Sequence, residues 1–149
     1  MSVIHPVIML GFFYFCYVQM RLGQRIAGLK EKAPEYADRA PLLDQHRRNA
    51  FILLAWIILG AIGGAVMAMK VLNVPAPFLH TYAHGFFGVL GLAVVICTIL
   101  IGFNIKNIVK PKIKARFFHF HAGMVVVLFG FGLLSVVTGA IVLLKGISS

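Results

Sequence analysis

Histidine recurs along this chain at His5, His46, His84 and His121, in steps of 41, 38 and 37 residues. Each of the four stands at or near the N-terminal end of a long apolar run. An ionisable side chain in apolar surroundings is costly and marks a candidate functional site. Neutral imidazole is a good nitrogen ligand for a transition metal. If consecutive runs cross a layer in opposite directions, His5 and His84 share one face and His46 and His121 share the other. Two imidazoles per face suit the two axial positions of a haem iron, and an iron filled in this way transfers electrons rather than binding oxygen. Zinc fits less well, because it takes three or four nitrogen or sulfur ligands at one point. Neither pair has a thiol near it in sequence, and the one carboxylate within a turn is Asp44, two residues before His46.

The elements that must hold these residues are membrane spans. The chain has 149 residues, of which 60% are hydrophobic and only 12% charged, with a mean hydropathy of +0.94. A soluble domain of this length cannot bury so much apolar surface. Crossing a hydrocarbon layer roughly 30 Å thick takes about 20 apolar residues, and four stretches qualify, at about 3–21, 48–71, 78–105 and 116–145. The expected fold is all-α, a single four-span transmembrane bundle joined by polar loops at 22–47 and 106–115. Pro34 and Pro41 should break any long helix in the first loop, Asp44 could help start the second span, and Pro75 and Pro77 delay the third.

The net charge of +10 suggests nucleic acid until its placement is considered. Twelve of the fourteen Lys and Arg residues fall in, or directly at the borders of, the two loops that follow spans one and three, and only Lys70 and Lys145 lie at the opposite face. Short basic loops stay on the cytoplasmic side, so both termini are expected outside, in the periplasm. The charge is thus a topology signal, with no nucleic-acid partner implied, and lipid is the first expected partner. The N-terminus lacks the charged region and small-residue site of a cleavable signal and is read as a retained span. Cys16 and Cys97 stand singly in spans one and three, without a Cys-x-x-Cys-His motif, and are read as packing residues.

Several residues surround the two faces. His80 lies one helical turn before His84 and is an alternative ligand or a group at a quinone site with Tyr82. His119 and His121 point about 160° apart on a helix, so at most one faces the bundle. His121 is preferred because it is deeper and lies over Gly132 and Gly139, while His119 lies over Gly123 and Gly130. Arg47, Arg48 and Arg116 stand near the inner pair, where a guanidinium can neutralise a haem propionate. Glycines also fall beneath His84 (Gly88, Gly91) and His46 (Gly64) at helical spacing. Close helix packing explains them, as does room for a flat macrocycle. The separation expected between the two irons is roughly 20 Å, the helix length less about a turn at each end.

With these residues the chain resembles the transmembrane di-haem b-type cytochromes, and among them the ascorbate-reducible cytochrome b proteins and a bacterial four-helix group catalogued as a domain of unknown function. The likeness rests on one histidine per core helix, the His5-Pro6 opening and the run from His121 to Gly139. It implies two b-type haems, one at minimum, held by His5 with His84 and by His46 with His121. The flanking helices and ascorbate site of the first family are absent, so its substrate is not implied. The leading expectation is an electron carrier of a bacterial inner membrane, or of a thylakoid-type membrane. Its electrons would pass between a quinone pool or soluble carrier and a partner subunit, which would supply any enzyme chemistry. The alternative is a non-redox structural or assembly subunit of a larger membrane complex. A transporter would need buried carboxylates and broken helices that this chain lacks.

Overall fold

The structure is a computed structural model that describes residues 4–29, 37–70, 81 and 83–147. Four helices take up nearly all of them: α1 (Ile4–Gly28), α2 (Arg39–Lys70), α3 (His84–Ile105) and α4 (Pro111–Ile147). The shortest has 22 residues, about 33 Å at 1.5 Å per residue. All four are long and apolar enough to cross a membrane. The described residues form an all-α, four-helix bundle, and the chain is a multi-pass membrane protein.

Each helix turns a narrow stripe inward. Phe12, Cys16 and Gln19 are buried along α1, Asn49, Leu53, Ile57 and Gly60 along α2, and Gly91, Val94 and Val95 along α3. Spacings of three and four residues place each set on one face. Phe12, Cys16, Leu53, Ile57, Val94, Val95 and Leu128 meet in the middle as the core. Outward residues such as Tyr14, Leu59, Val126 and Leu133 are largely exposed, as lipid-facing positions should be. Cys16 packs in that core, whereas Cys97 is exposed on α3.

The helices form a ring in chain order. The α1–α2 and α3–α4 seams are the most extensive, α2 meets α3 over a shorter length, and α1 meets α4 narrowly. The diagonal pairs, α1 with α3 and α2 with α4, make no close backbone approach. Lipid tails are as apolar as leucine, so close packing rather than water exclusion joins such helices. Glycines permit it. A Cβ at Gly60 would lie 2.6 Å from Met9 Sδ, one at Gly11 would lie 2.9 Å from the Trp56 ring, and one at Gly132 would collide with Phe13 across the α1–α4 seam. Trp56 Nε1 also donates to the Ile8 carbonyl at 3.1 Å.

The helices extend further than the apolar runs. α1 continues through residues 22–28 and α2 begins at Arg39, so much of the expected 22–47 loop is helical. Pro41 does not break α2. It stands in the first turn, where the missing N–H has no helical partner to lose. Asp44 does not start that helix either, and from within it accepts a hydrogen bond from Arg47 at 3.4 Å. α4 likewise begins at Pro111, five residues before the expected span. Pro34, Pro75, Pro77, His80 and Tyr82 lie outside the described residues.

The start of α3 is held tightly, which matters because His84 is its first residue. Ala83 has a left-handed φ of 65°. The Thr81 carbonyl accepts the His84 N–H at 2.8 Å, and its hydroxyl oxygen accepts the Gly85 N–H at 3.1 Å. A side-chain oxygen at a helix start stabilises by about 1 kcal/mol. Thr81→Val, which keeps the shape and loses the acceptor, is expected to lower the melting temperature in detergent by roughly 2–4 °C. An unchanged melt would show that the hydroxyl does not cap α3.

Candidate functional site

The four recurring histidines meet as two pairs, and each pair spans a diagonal of the bundle. His5 of α1 and His84 of α3 have ring centres 5.9 Å apart, with planes at 88°. His46 of α2 and His121 of α4 have ring centres 6.3 Å apart, with planes at 64°. The diagonals are where the helices themselves stay apart, so these side chains bridge the bundle at its two ends. Neither pair is stacked face to face.

Every ring rests on a glycine of its antiparallel neighbour. A Cβ at Gly64 would lie 2.9 Å from His5 Cε1, one at Gly139 2.9 Å from His84 Cε1, one at Gly102 3.0 Å from His121 Cε1, and one at Gly23 3.2 Å from His46 Cε1. The glycines therefore serve histidines of other helices. Gly64 lies beneath His46 in α2 but receives His5, Gly139 lies beneath His121 in α4 but receives His84, and Gly132 receives Phe13. Gly91 packs near Ile57 and Leu128, while a Cβ at Gly88, Gly123 or Gly130 would meet nothing within 4 Å. A cavity of about 390 Å³ adjoins His5 and His84, with Gly64, Gly88, Gly132 and Gly139 in its wall.

One common spacing underlies this pattern. His5 and Gly23, His46 and Gly64, His84 and Gly102, and His121 and Gly139 are each eighteen residues apart. Eighteen residues are five full helical turns, which returns to the same face about 27 Å further on. Each helix thus presents a histidine at one end and a glycine seat at the other, in register with a neighbour running the opposite way. The same length places the two pairs about 27 Å apart along a helix.

Hydrogen bonds orient two of the rings. His84 Nδ1 lies 2.8 Å from the Ser135 carbonyl oxygen and 3.2 Å from its hydroxyl. His121 Nδ1 lies 3.0 Å from the Thr98 carbonyl oxygen. A carbonyl only accepts, so Nδ1 carries the proton in both rings and Nε2 keeps a free lone pair, the tautomer of a ligating imidazole. His5 Nε2 is buried and has no hydrogen-bond partner, despite the neighbouring His84 ring. A buried polar atom left in this state is uncommon and points to an unrecorded partner.

The remaining candidates separate clearly. His119 is exposed, lies beside Phe118, and shares a surface hollow with Arg116 and Phe120. The structure brings His121, not His119, to His46. Arg47 is engaged with Asp44, and Arg48 and Arg116 are exposed. Among the described residues, no three His, Cys, Asp or Glu side chains gather into a metal cage, which leaves two-ligand pairs as the metal-binding geometry to consider.

Two imidazoles bound to one metal at about 2.0 Å place their nitrogens about 4 Å apart and their ring centres about 6 Å apart. Both pairs lie at that separation. The donor set, the free Nε2 lone pairs of His84 and His121, and the partnerless Nε2 of His5 fit an iron held between opposed imidazoles. Comparison of the chain with protein-family models, with curated proteins and with solved structures gives no match.

Proposed function

We propose that this protein is a di-haem b-type cytochrome that carries electrons across a bilayer. The observation that supports it best is the diagonal pairing of four histidines, two at each end, at the separation a shared iron requires. His5 with His84 holds one haem and His46 with His121 holds the other. When bound, each haem would supply one-electron iron chemistry.

The chain's own residues do the rest. Ser135 and Thr98 carbonyls fix the tautomers of His84 and His121, and such partners raise the basicity of the ligating nitrogen. Glycine seats let each ring lie against a helix without obstruction. Phe12, Ile57, Val95 and Leu128 keep the middle of the bundle apolar. Arg47, Arg48 and Arg116 offer guanidinium groups to propionates at the inner end. Following the placement of the basic loops, His46 and His121 belong to the cytoplasmic side and the termini to the periplasmic side of a bacterial inner membrane. A quinol or soluble carrier at one face and an acceptor or partner subunit at the other complete the route.

A reduced-minus-oxidised visible spectrum of the detergent-purified protein, with haem measured per chain, is the direct test. Sharp b-type bands with two haems per chain are expected. A colourless protein from haem-replete cells would overturn the reading and favour a structural subunit of a larger membrane complex.

A further inference from the structure

The two helix pairs repeat one local device, a ring seated on a glycine with its Nδ1 at the carbonyl one turn back, and it is complete at His84 and His121. His84 seats on Gly139 and addresses the carbonyl of Ser135, four residues earlier, while His121 seats on Gly102 and addresses the carbonyl of Thr98, again four residues earlier. The reason is geometric. A bare glycine lets the ring reach the helix surface, and the carbonyl one turn back is the nearest acceptor there.

His46 rests on Gly23 in nearly the pose that His121 takes on Gly102. Its Cε1, Nδ1 and Nε2 lie 3.2, 3.8 and 4.0 Å from a Cβ built at Gly23, against 3.0, 3.5 and 3.9 Å for His121 at Gly102. The residue four before Gly23 is Gln19. Yet His46 Nδ1 is buried and has no hydrogen-bond partner. Gln19 carries the complementary deficit. The residue is 7% exposed, its Nε2 donates to the His46 carbonyl at 2.6 Å, and its Oε1 is buried without a partner. A ring nitrogen of one residue and an amide oxygen of the other, left over beside the hydrogen bond that already joins the two, are costly to leave unpaired in a membrane-embedded chain.

We propose that Gln19 is the positioning residue of the inner centre, with its Oε1 accepting the Nδ1 proton of His46 directly or through one bridging water. This inference rests on the di-haem reading and refines it. The side-chain amide replaces the main-chain carbonyl used by His84 and His121. At Gln19, unlike at Thr98, mutation changes the acceptor atom itself, and at Ser135 it would change only the hydroxyl that lies 3.2 Å from His84 Nδ1 beside the main-chain carbonyl at 2.8 Å. His46 would have its ligand strength set by a side chain, and the two centres would differ in potential for that reason.

The test is a spectroelectrochemical titration at pH 8 of the full chain and of its Gln19→Leu and Gln19→Glu variants. Gln19→Leu, which removes the acceptor, is expected to raise the potential of one centre and to weaken its haem retention about tenfold. Gln19→Glu keeps an acceptor and adds negative charge, so it should lower the potential of that same centre. The other centre should not move in either variant. Opposite shifts at one centre mark an acceptor, because a purely structural contact between α1 and α2 would suffer in the same direction from both changes. Shifts of one sign, shifts at both centres, or no shift would overturn the assignment to Gln19 while leaving a two-haem protein. A wild type without haem would instead remove the cytochrome reading, and this inference with it.

Discussion

His84→Ala is expected to reduce the haem content from two per chain to one, and His121→Ala to do the same at the other end. The two variants should leave different survivors, with distinct potentials. The double variant should be colourless. Each histidine reaches across a diagonal where no backbone approaches, and among the described residues no third His, Cys, Asp or Glu joins either pair. Transmembrane electron transfer, measured in vesicles with an enclosed acceptor, should fall by more than about 100-fold in either single variant. That exceeds the 10–100-fold typical of losing a partner that merely orients a metal ligand. His119→Ala is the internal control. Its ring is exposed beside Phe118 and away from His46, so haem content and transfer should be unchanged. Two haems retained in His84→Ala, or one lost in His119→Ala, would refute the pairing.

The four spans and the alternation of their histidines were legible in the sequence for a plain physical reason. A hydrocarbon layer demands about 20 apolar residues per crossing, and successive crossings must reverse. His5 therefore meets His84 and His46 meets His121 once the chain is folded. Helix ends were less legible. Residues 22–28 and 39–47 are polar enough to read as loop, yet they extend α1 and α2, since a helix need not stop where the membrane does. Pro41 misleads in the same way, because proline disrupts a helix interior but suits its first turn. The choice of His121 over His119 needed the position of α2. The Nδ1 acceptors were out of reach, because the carbonyls of Thr98 and Ser135 are main-chain groups that any residue supplies. Gln19 was missed for the opposite reason. A single amide in an apolar run looks incidental until its place, four residues before Gly23, is seen to match those of Thr98 and Ser135.

Gly139→Val should abolish the centre at the far end of α4 from His121. Gly139 is eighteen residues from His121 on its own helix, but Cε1 and Nδ1 of His84 both lie 2.9 Å from the position of its missing Cβ. Approaches under 3.0 Å are not tolerated by a real side chain, so the His84 ring must move, and with it the Ser135 hydrogen bond that sets its tautomer. Valine is a better helix former than glycine by a few tenths of a kcal/mol, which argues against loss of the helix as the cause. Gly102→Val should act in the same crossed fashion on the His121 centre. Haem per chain should fall toward one in each variant. Gly139→Val combined with His84→Ala should lose nothing more, whereas combined with His121→Ala it should lose both haems. That non-additivity is what a shared site predicts and independent damage does not. Gly130→Val is the matched control, since a Cβ there meets nothing within 4 Å, and it should retain both haems. If Gly139→Val instead removed the His121 centre, each glycine would be serving the histidine of its own helix, and the crossed five-turn register would be wrong.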